Sequence, residues 1–172
     1  MEDTDRLRTA CERNLRILTA KPHKGQLTAT TRASIEQGLR CEISEGDWRL
    51  TTDMPVKLGG NDTGPTPGTF GRGALASCLA MGIKMWAVRL NVPIDRVEVV
   101  VEADFDARGE VGLDGVRAGY ERVRRRIAIA SNATRETIME VVDRAERHSP
   151  YLDVFASPIS MGREVEVQSK EA

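Results

Sequence analysis

Along residues 4–19, Leu7, Cys11, Leu15 and Leu18 recur three and four positions apart, which predicts an amphipathic helix. The run 21–25 (KPHKG) breaks it. From 26 to 54 the pattern changes to short β-prone runs (QLTATTRASI, GLRCEI and WRLTTDM), with Gly38 and the EGD of 45–47 at the turns. These runs predict a small antiparallel meander. Residues 55–68 are rich in Gly and Pro and irregular. They end on Thr66 as N-cap and Pro67 as the first residue of a helix reaching about Leu90. Its segment 73–83 (GALASCLAMGI) has no charge, so the helix is expected in the middle of the protein, apolar on every side. Asn91 and Pro93 end it.

Residues 94–105 alternate. Val97, Val99, Val101, Ala103 and Phe105 face one way, and Arg96, Glu98, Glu102 and Asp104 the other, as in a half-buried strand. A charged connection over 106–119 leads to a second strand at 120–130 (YERVRRRIAIA). Its Arg122, Arg124 and Arg126 share a face that lies opposite Glu98, Glu102 and Asp104 if the two strands pair. Asn132 or Thr134 caps a further helix with Ile138, Val141, Val142 and Ala145 inward. Extending that stripe by three and four places reaches His148 and Ser149, just before Pro150, which is expected to stop the helix. The alternation in 159–167 (ISMGREVEV) predicts a closing strand. Helices and strands come in blocks, which argues for an α+β fold. Residues 1–25 read as an N-terminal helical extension and 26–172 as the main domain.

At 172 residues the chain is long enough for one core without disulfide staples. A net charge of −1 gives no reason to expect a nucleic-acid partner or an anionic membrane. Cross-strand pairing explains the basic run at 122–126 more simply than nucleic acid does. The longest apolar stretches, near 73–83 and 97–101, fall well short of the ~20 residues that span a bilayer. The opening MEDTDRLR has no apolar core behind it, so no signal peptide and a cytoplasmic location are expected. Three cysteines without a C-x-x-C, and two histidines, argue against a disulfide framework, a redox pair or a zinc site, and no metal or organic cofactor is expected. LGGNDTG lacks the lysine and the preceding strand of a phosphate loop. Met85 and Trp86 read as core or dimer-interface residues rather than a cofactor box.

The segment LGGNDTGPTP (58–67), followed by a buried helix holding ALASCLA (74–80), resembles the OsmC/Ohr family. So do the strand opening VPIDRVEV (92–99) and the later helix ending before a proline, a likeness over roughly 27–167. The resemblance implies an OsmC-like fold, with antiparallel sheets wrapped around long central helices in an intertwined homodimer and active sites at the subunit interface. It implies thiol-dependent reduction of organic and fatty-acid hydroperoxides. Cys78 matches the peroxidatic cysteine and Ser149 stands at the resolving-cysteine position. Gly68 takes the place of a glutamate of the organic-hydroperoxide branch. The arginine that holds the thiolate matches Arg40, or else Arg32. Arg72 is either a surface residue or, with Arg32 and Met81, part of the substrate pocket.

A thiolate is the nucleophile, and burial in an apolar helix opposes ionisation, so Cys78 needs a nearby cation or base. His148 is the candidate base, oriented by Asp153; alternatively it caps a helix C-terminus, where a cation is favoured. Ser149 cannot resolve a sulfenic acid. The electrons then come through Cys41 or Cys11, or from an external small or protein thiol. The Ala-, Leu- and Met-rich helix suggests an apolar hydroperoxide as substrate. Two rivals remain at this stage: a non-peroxidatic protein that binds a small apolar ligand at the dimer interface, and a hydrolase using Cys78 and His148.

Overall fold

A computed structural model describes residues 2–168. An N-terminal helix α1 (Glu2–Ala20) precedes a meander of β1 (Arg32–Ser34), β2 (Cys41–Glu45) and β3 (Trp48–Thr52). The central helix α2 (Pro67–Arg89) follows, then β4 (Arg96–Asp104), a single turn α3 (Ala107–Glu110), β5 (Arg122–Ala130), α4 (Arg135–Arg147) and α5 (Pro150–Ala156). The fold class is α+β, as the block pattern predicts. β1–β2–β3 form one antiparallel sheet and β4–β5 a second.

The core forms where α2 crosses the β4–β5 hairpin and α4. Leu75, Leu79, Ile83 and Ala87 stand four residues apart on α2 and are fully buried. Ile83 and Ala87 pack with Ile94, Val141, Val142 and Ala145, and Val97, Ile127 and Ile129 of the hairpin close the cluster from the sheet side. α2 is not enclosed on every side, however. Met81 and Met85, on its opposite stripe, keep 60% and 45% of their surface. The expectation of a helix in the middle of the protein is met on the buried stripe, while the described residues of this chain leave the opposite stripe uncovered.

In the hairpin, Arg122 pairs with Asp104 and Arg124 with Glu102, while Arg126 lies opposite Val100 and Glu98 opposite Ala128. Arg124 binds Asp104 through both guanidinium ends, which holds the Asp104 carboxyl below its usual range and raises Arg124. The arginine-rich face is a set of cross-strand pairs with one member, Arg126, displaced onto an apolar neighbour.

The loop into α2 is built around Asp53, whose exposure is 1%. Its carboxylate accepts from the backbone N–H groups of Met54, Asn61 and Thr63 at 2.8, 3.1 and 3.1 Å and from the Thr63 hydroxyl at 2.7 Å. The Thr63 hydroxyl is the largest cause of its lowered pKa, with the three N–H donors adding to it against the cost of burial. Gly60 lies against the Met54 carbonyl, where a Cβ would come within 1.9 Å. The Gly-rich motif is thus a folded clasp that fixes where α2 begins.

One further expectation is extended and another corrected. α4 does end before Pro150, at Arg147, but Pro150 also opens a further helix, α5, with Ser149 as N-cap accepting from Leu152 N–H at 3.2 Å. Residues 159–167 form no strand and lie exposed, because no sheet edge of the described residues pairs with them. The N-terminal extension docks on α2: Arg8 donates to the Val88 carbonyl at 3.2 Å and to Asn91 Oδ1 at 3.1 Å, serving the C-terminal end of that helix. No helix among the described residues is long and apolar enough to cross a membrane.

Candidate functional site

Cys78 sits on α2 between the buried stripe and the open one, so its sulfur is half-buried. The α4–α5 junction delivers Ser149 to it: Cys78 Sγ and Ser149 Oγ are 3.4 Å apart. Ser149 is only 6% exposed, and its position is locked by its capping of α5. Because Ser149 Oγ already accepts from Leu152 N–H, its own O–H remains to point at the sulfur. A hydroxyl in that place donates to a thiolate and stabilises it.

The two residues open into a cleft of about 610 Å³. Ala74, Met81, Gly82, Met85 and Trp86 make its apolar floor, and His148, Tyr151 and Arg89 supply its polar rim. That size and lining suit a small, largely apolar molecule. No Asp or Glu lines the cleft among the described residues.

His148 lies on the wall of the same cleft but makes no hydrogen bond to Cys78. Its Nδ1 donates to the Arg144 carbonyl at 2.9 Å, an arrangement that requires a proton on Nδ1 and leaves Nε2 as the free nitrogen. Its ring packs on Trp86, with centroids 4.9 Å apart. Asp153 does not orient it; Asp153 Oδ1 accepts from the hydroxyl of Ser157, the residue that follows α5. The backbone and the indole hold the imidazole instead.

The arginines behave differently from Cys78 and Ser149. Arg72 donates to the Tyr120 hydroxyl at 3.1 Å and faces away from the cleft, and Tyr120 in turn donates to the Gly68 carbonyl at 3.4 Å. A Cβ on Gly68 would meet Arg72 Nη1 at 3.1 Å, so the guanidinium and phenol occupy the space beside that position. Arg40 pairs with Glu42 at 2.5 Å on the meander, and Arg32 lies on β1. Neither lines the cleft. Cys11 and Cys41 lie on α1 and β2, also outside the cleft. Met81 does line it.

Sequence periodicity alone did not single out Arg89 or Tyr151. Arg89 had a readable signal: it follows Cys78 by eleven residues, three helical turns, and so projects from the same face. Tyr151 had none, because α5 was not foreseen. No cluster of three His, Cys, Asp or Glu side chains that could hold a metal occurs among the described residues.

A family model described as OsmC-like protein matches residues 59–162. No curated protein matches the chain. Among solved structures, the chain is similar to an OsmC-like protein of Mycoplasma pneumoniae, with a TM-score of 0.64 and 15% identity over 76% of this chain and 89% of that one. It is also similar to an organic hydroperoxide resistance protein of Elizabethkingia anophelis (TM-score 0.58, 16% identity, 75% of this chain and 88% of that one). A third is the organic hydroperoxide resistance protein OsmC of Legionella pneumophila (TM-score 0.54, 18% identity, 75% and 89%). At these identities the structural likeness is one of fold, and the family match spans the Gly-rich loop from Gly59, α2 with Cys78, the hairpin and the α4–α5 junction. The chain belongs to the OsmC-like family.

Proposed function

We propose that this protein reduces apolar organic hydroperoxides through Cys78, with electrons from an external thiol, as a homodimer. The observation that carries the reading is the half-buried Cys78 sulfur at the wall of an apolar cleft, 3.4 Å from the Ser149 hydroxyl. The Cys78 thiolate attacks the terminal peroxide oxygen and the O–O bond breaks. The sulfur becomes a sulfenic acid, and the alkoxide takes a proton and leaves as the alcohol. Ser149 holds the thiolate before attack; a serine forms no disulfide, so it does not resolve the product. One molecule of external thiol then condenses with the sulfenic acid, releasing water and giving a mixed disulfide. A second thiol attacks that disulfide, restores Cys78 and leaves as the oxidised dithiol pair.

The open apolar surfaces support the homodimer. They include the Met81–Met85 stripe and the meander, whose Trp48 keeps 77% of its surface. A second copy on these faces narrows the cleft and brings Arg40 or Arg32 within reach of a neighbouring thiolate, a role neither fills in its own protomer. A Cys–His hydrolase needs the imidazole against the sulfur, whereas the group at Cys78 is a hydroxyl.

The test is consumption of cumene hydroperoxide under excess dithiothreitol, with wild type, Cys78→Ala and Ser149→Ala. Wild type is expected to turn over. Cys78→Ala is expected to abolish turnover, and Ser149→Ala to slow it about tenfold, the cost of a hydrogen bond to a charged sulfur. Turnover that survives Cys78→Ala would overturn the reading.

A further inference from the structure

The end of the cleft far from Cys78 is cationic and aromatic. The Arg89 guanidinium lies over the Trp86 ring, with its carbon 4.0 Å from the centroid. Arg144 approaches the same ring at 5.8 Å and His148 flanks it. Arg144 is partly satisfied by Glu140 at 3.4 Å. Arg89 is exposed and has no carboxylate within ion-pair distance among the described residues. A cation in the last turn of a helix is ordinarily explained by the helix's carbonyl end. Here Arg8 already donates to the Val88 carbonyl, and Arg89 is instead folded back along the cleft onto Trp86.

Eleven residues separate Cys78 from Arg89, which is three turns plus ~20°, so both project from one face of α2. Met81, Gly82 and Met85 lie between them as an apolar floor. The cleft therefore offers a sulfur at one end, beside the Ser77 and Ser149 hydroxyls, a free guanidinium at the other and an apolar floor between them. Stacking on the indole fixes the plane of the guanidinium and leaves its N–H edges for a planar anion.

We infer that Arg89 is a specificity-determining residue, holding the carboxylate of an unbranched apolar acid whose hydroperoxide group lies at Cys78. This deepens the proposed reduction of hydroperoxides and rests on it for the reacting end of the ligand. From Cys78 to Trp86 is eight residues, ~12 Å along the helix, which an extended chain of ~1.5 Å carbon–carbon bonds covers in roughly nine or ten zigzag steps. The site thus reads a carboxylate and a peroxide separated by about that many carbons.

The experiment measures binding of dodecanoate, hexanoate and dodecanol by calorimetry to wild type, Arg89→Met and Arg89→Lys. It also measures turnover of a long-chain fatty-acid hydroperoxide against cumene hydroperoxide, which has no carboxylate. Arg89→Met keeps a stem over Trp86, and far-UV circular dichroism verifies its fold. Wild type is expected to bind dodecanoate about tenfold more tightly than dodecanol, a preference lost in Arg89→Met and partly kept in Arg89→Lys, with hexanoate weak throughout. Arg89→Met is expected to raise KM for the acid hydroperoxide about tenfold more than it changes KM for cumene hydroperoxide. Equal binding of dodecanoate and dodecanol by wild type, or undiminished dodecanoate binding by Arg89→Met, overturns the inference. If neither peroxide is consumed while the dodecanoate preference still depends on Arg89, the carboxylate site stands and the proposed reduction fails.

Discussion

The β4–β5 hairpin with α2 and α4 buries its apolar side chains within one chain, whereas the meander β1–β3 leaves most of its own in the open. In the first region Leu79, Ile83 and Val141 have no exposed surface, and the hairpin's alternating valines and isoleucines meet them. In the second, Trp48, Leu50 and Ile35 are exposed, and the buried residues are confined to the β3 end, Thr52 and Asp53. α2 belongs to both regions, with one stripe closed and the Met81–Met85 stripe open. The difference teaches that the chain holds one complete core and a second apolar surface that the described residues leave uncovered, with Cys78 between them.

That contrast can be broken from either side. Ile83→Ala cuts into the closed stripe and is expected to cost about 2–5 kcal/mol of stability in denaturant unfolding. Met81→Glu, two residues away on the open stripe, is expected to leave the helical content and the unfolding midpoint of the separated protomer nearly unchanged. It should weaken self-association by roughly a hundredfold or more in sedimentation equilibrium, because it would leave a buried charge without a partner. If Met81→Glu unfolds the protein while Ile83→Ala does not, the assignment of the two stripes is reversed.

A smaller effect belongs to the clasp that joins the regions. Asp53→Asn sets an amide N–H₂ against converging donors and is expected to lower Tm by several degrees at neutral pH. The Asp53 carboxyl is depressed, so its contribution is fully present above the ordinary value near ~3.9 and is lost as pH falls from there through the folded-state value. The wild-type and Asp53→Asn melting curves should therefore converge below about pH 4. The smallest effect is expected from Arg124→Ala, which removes exposed cross-strand pairs and should leave Tm within experimental error.

Most of the element order was legible because it rests on local periodicity: the 3.6-residue stripes of α1 and α4, the alternation of β4, and the Thr66–Pro67 start of α2. Ser149–Pro150 carries that same cap-and-proline signature, yet the proline read as a stop because it follows an existing helix rather than a loop. The alternation of Ile159, Met161, Val165 and Val167 describes which side chains share a face, but it does not supply the edge a strand needs. Within the site, the extended stripe of α4 points to His148 and Ser149, whereas Cys78 stands out through the family resemblance and Met81 through the apolar helix that carries it. The Trp86–His148–Arg89 arrangement depends on how α4 crosses α2, and the role of Asp53 on donors up to ten residues downstream; neither distance is written in local spacing.

The central claim is that Cys78 is a reactive sulfur rather than a packing residue. It is tested most directly by intact-mass spectrometry of the folded protein with Cys11 and Cys41 replaced by serine, after one equivalent of cumene hydroperoxide in the presence of dimedone. The account predicts a single dimedone adduct on Cys78, formed in the native state and reduced in yield by Ser149→Ala. A Cys78 that stays unmodified until the protein is unfolded would contradict it.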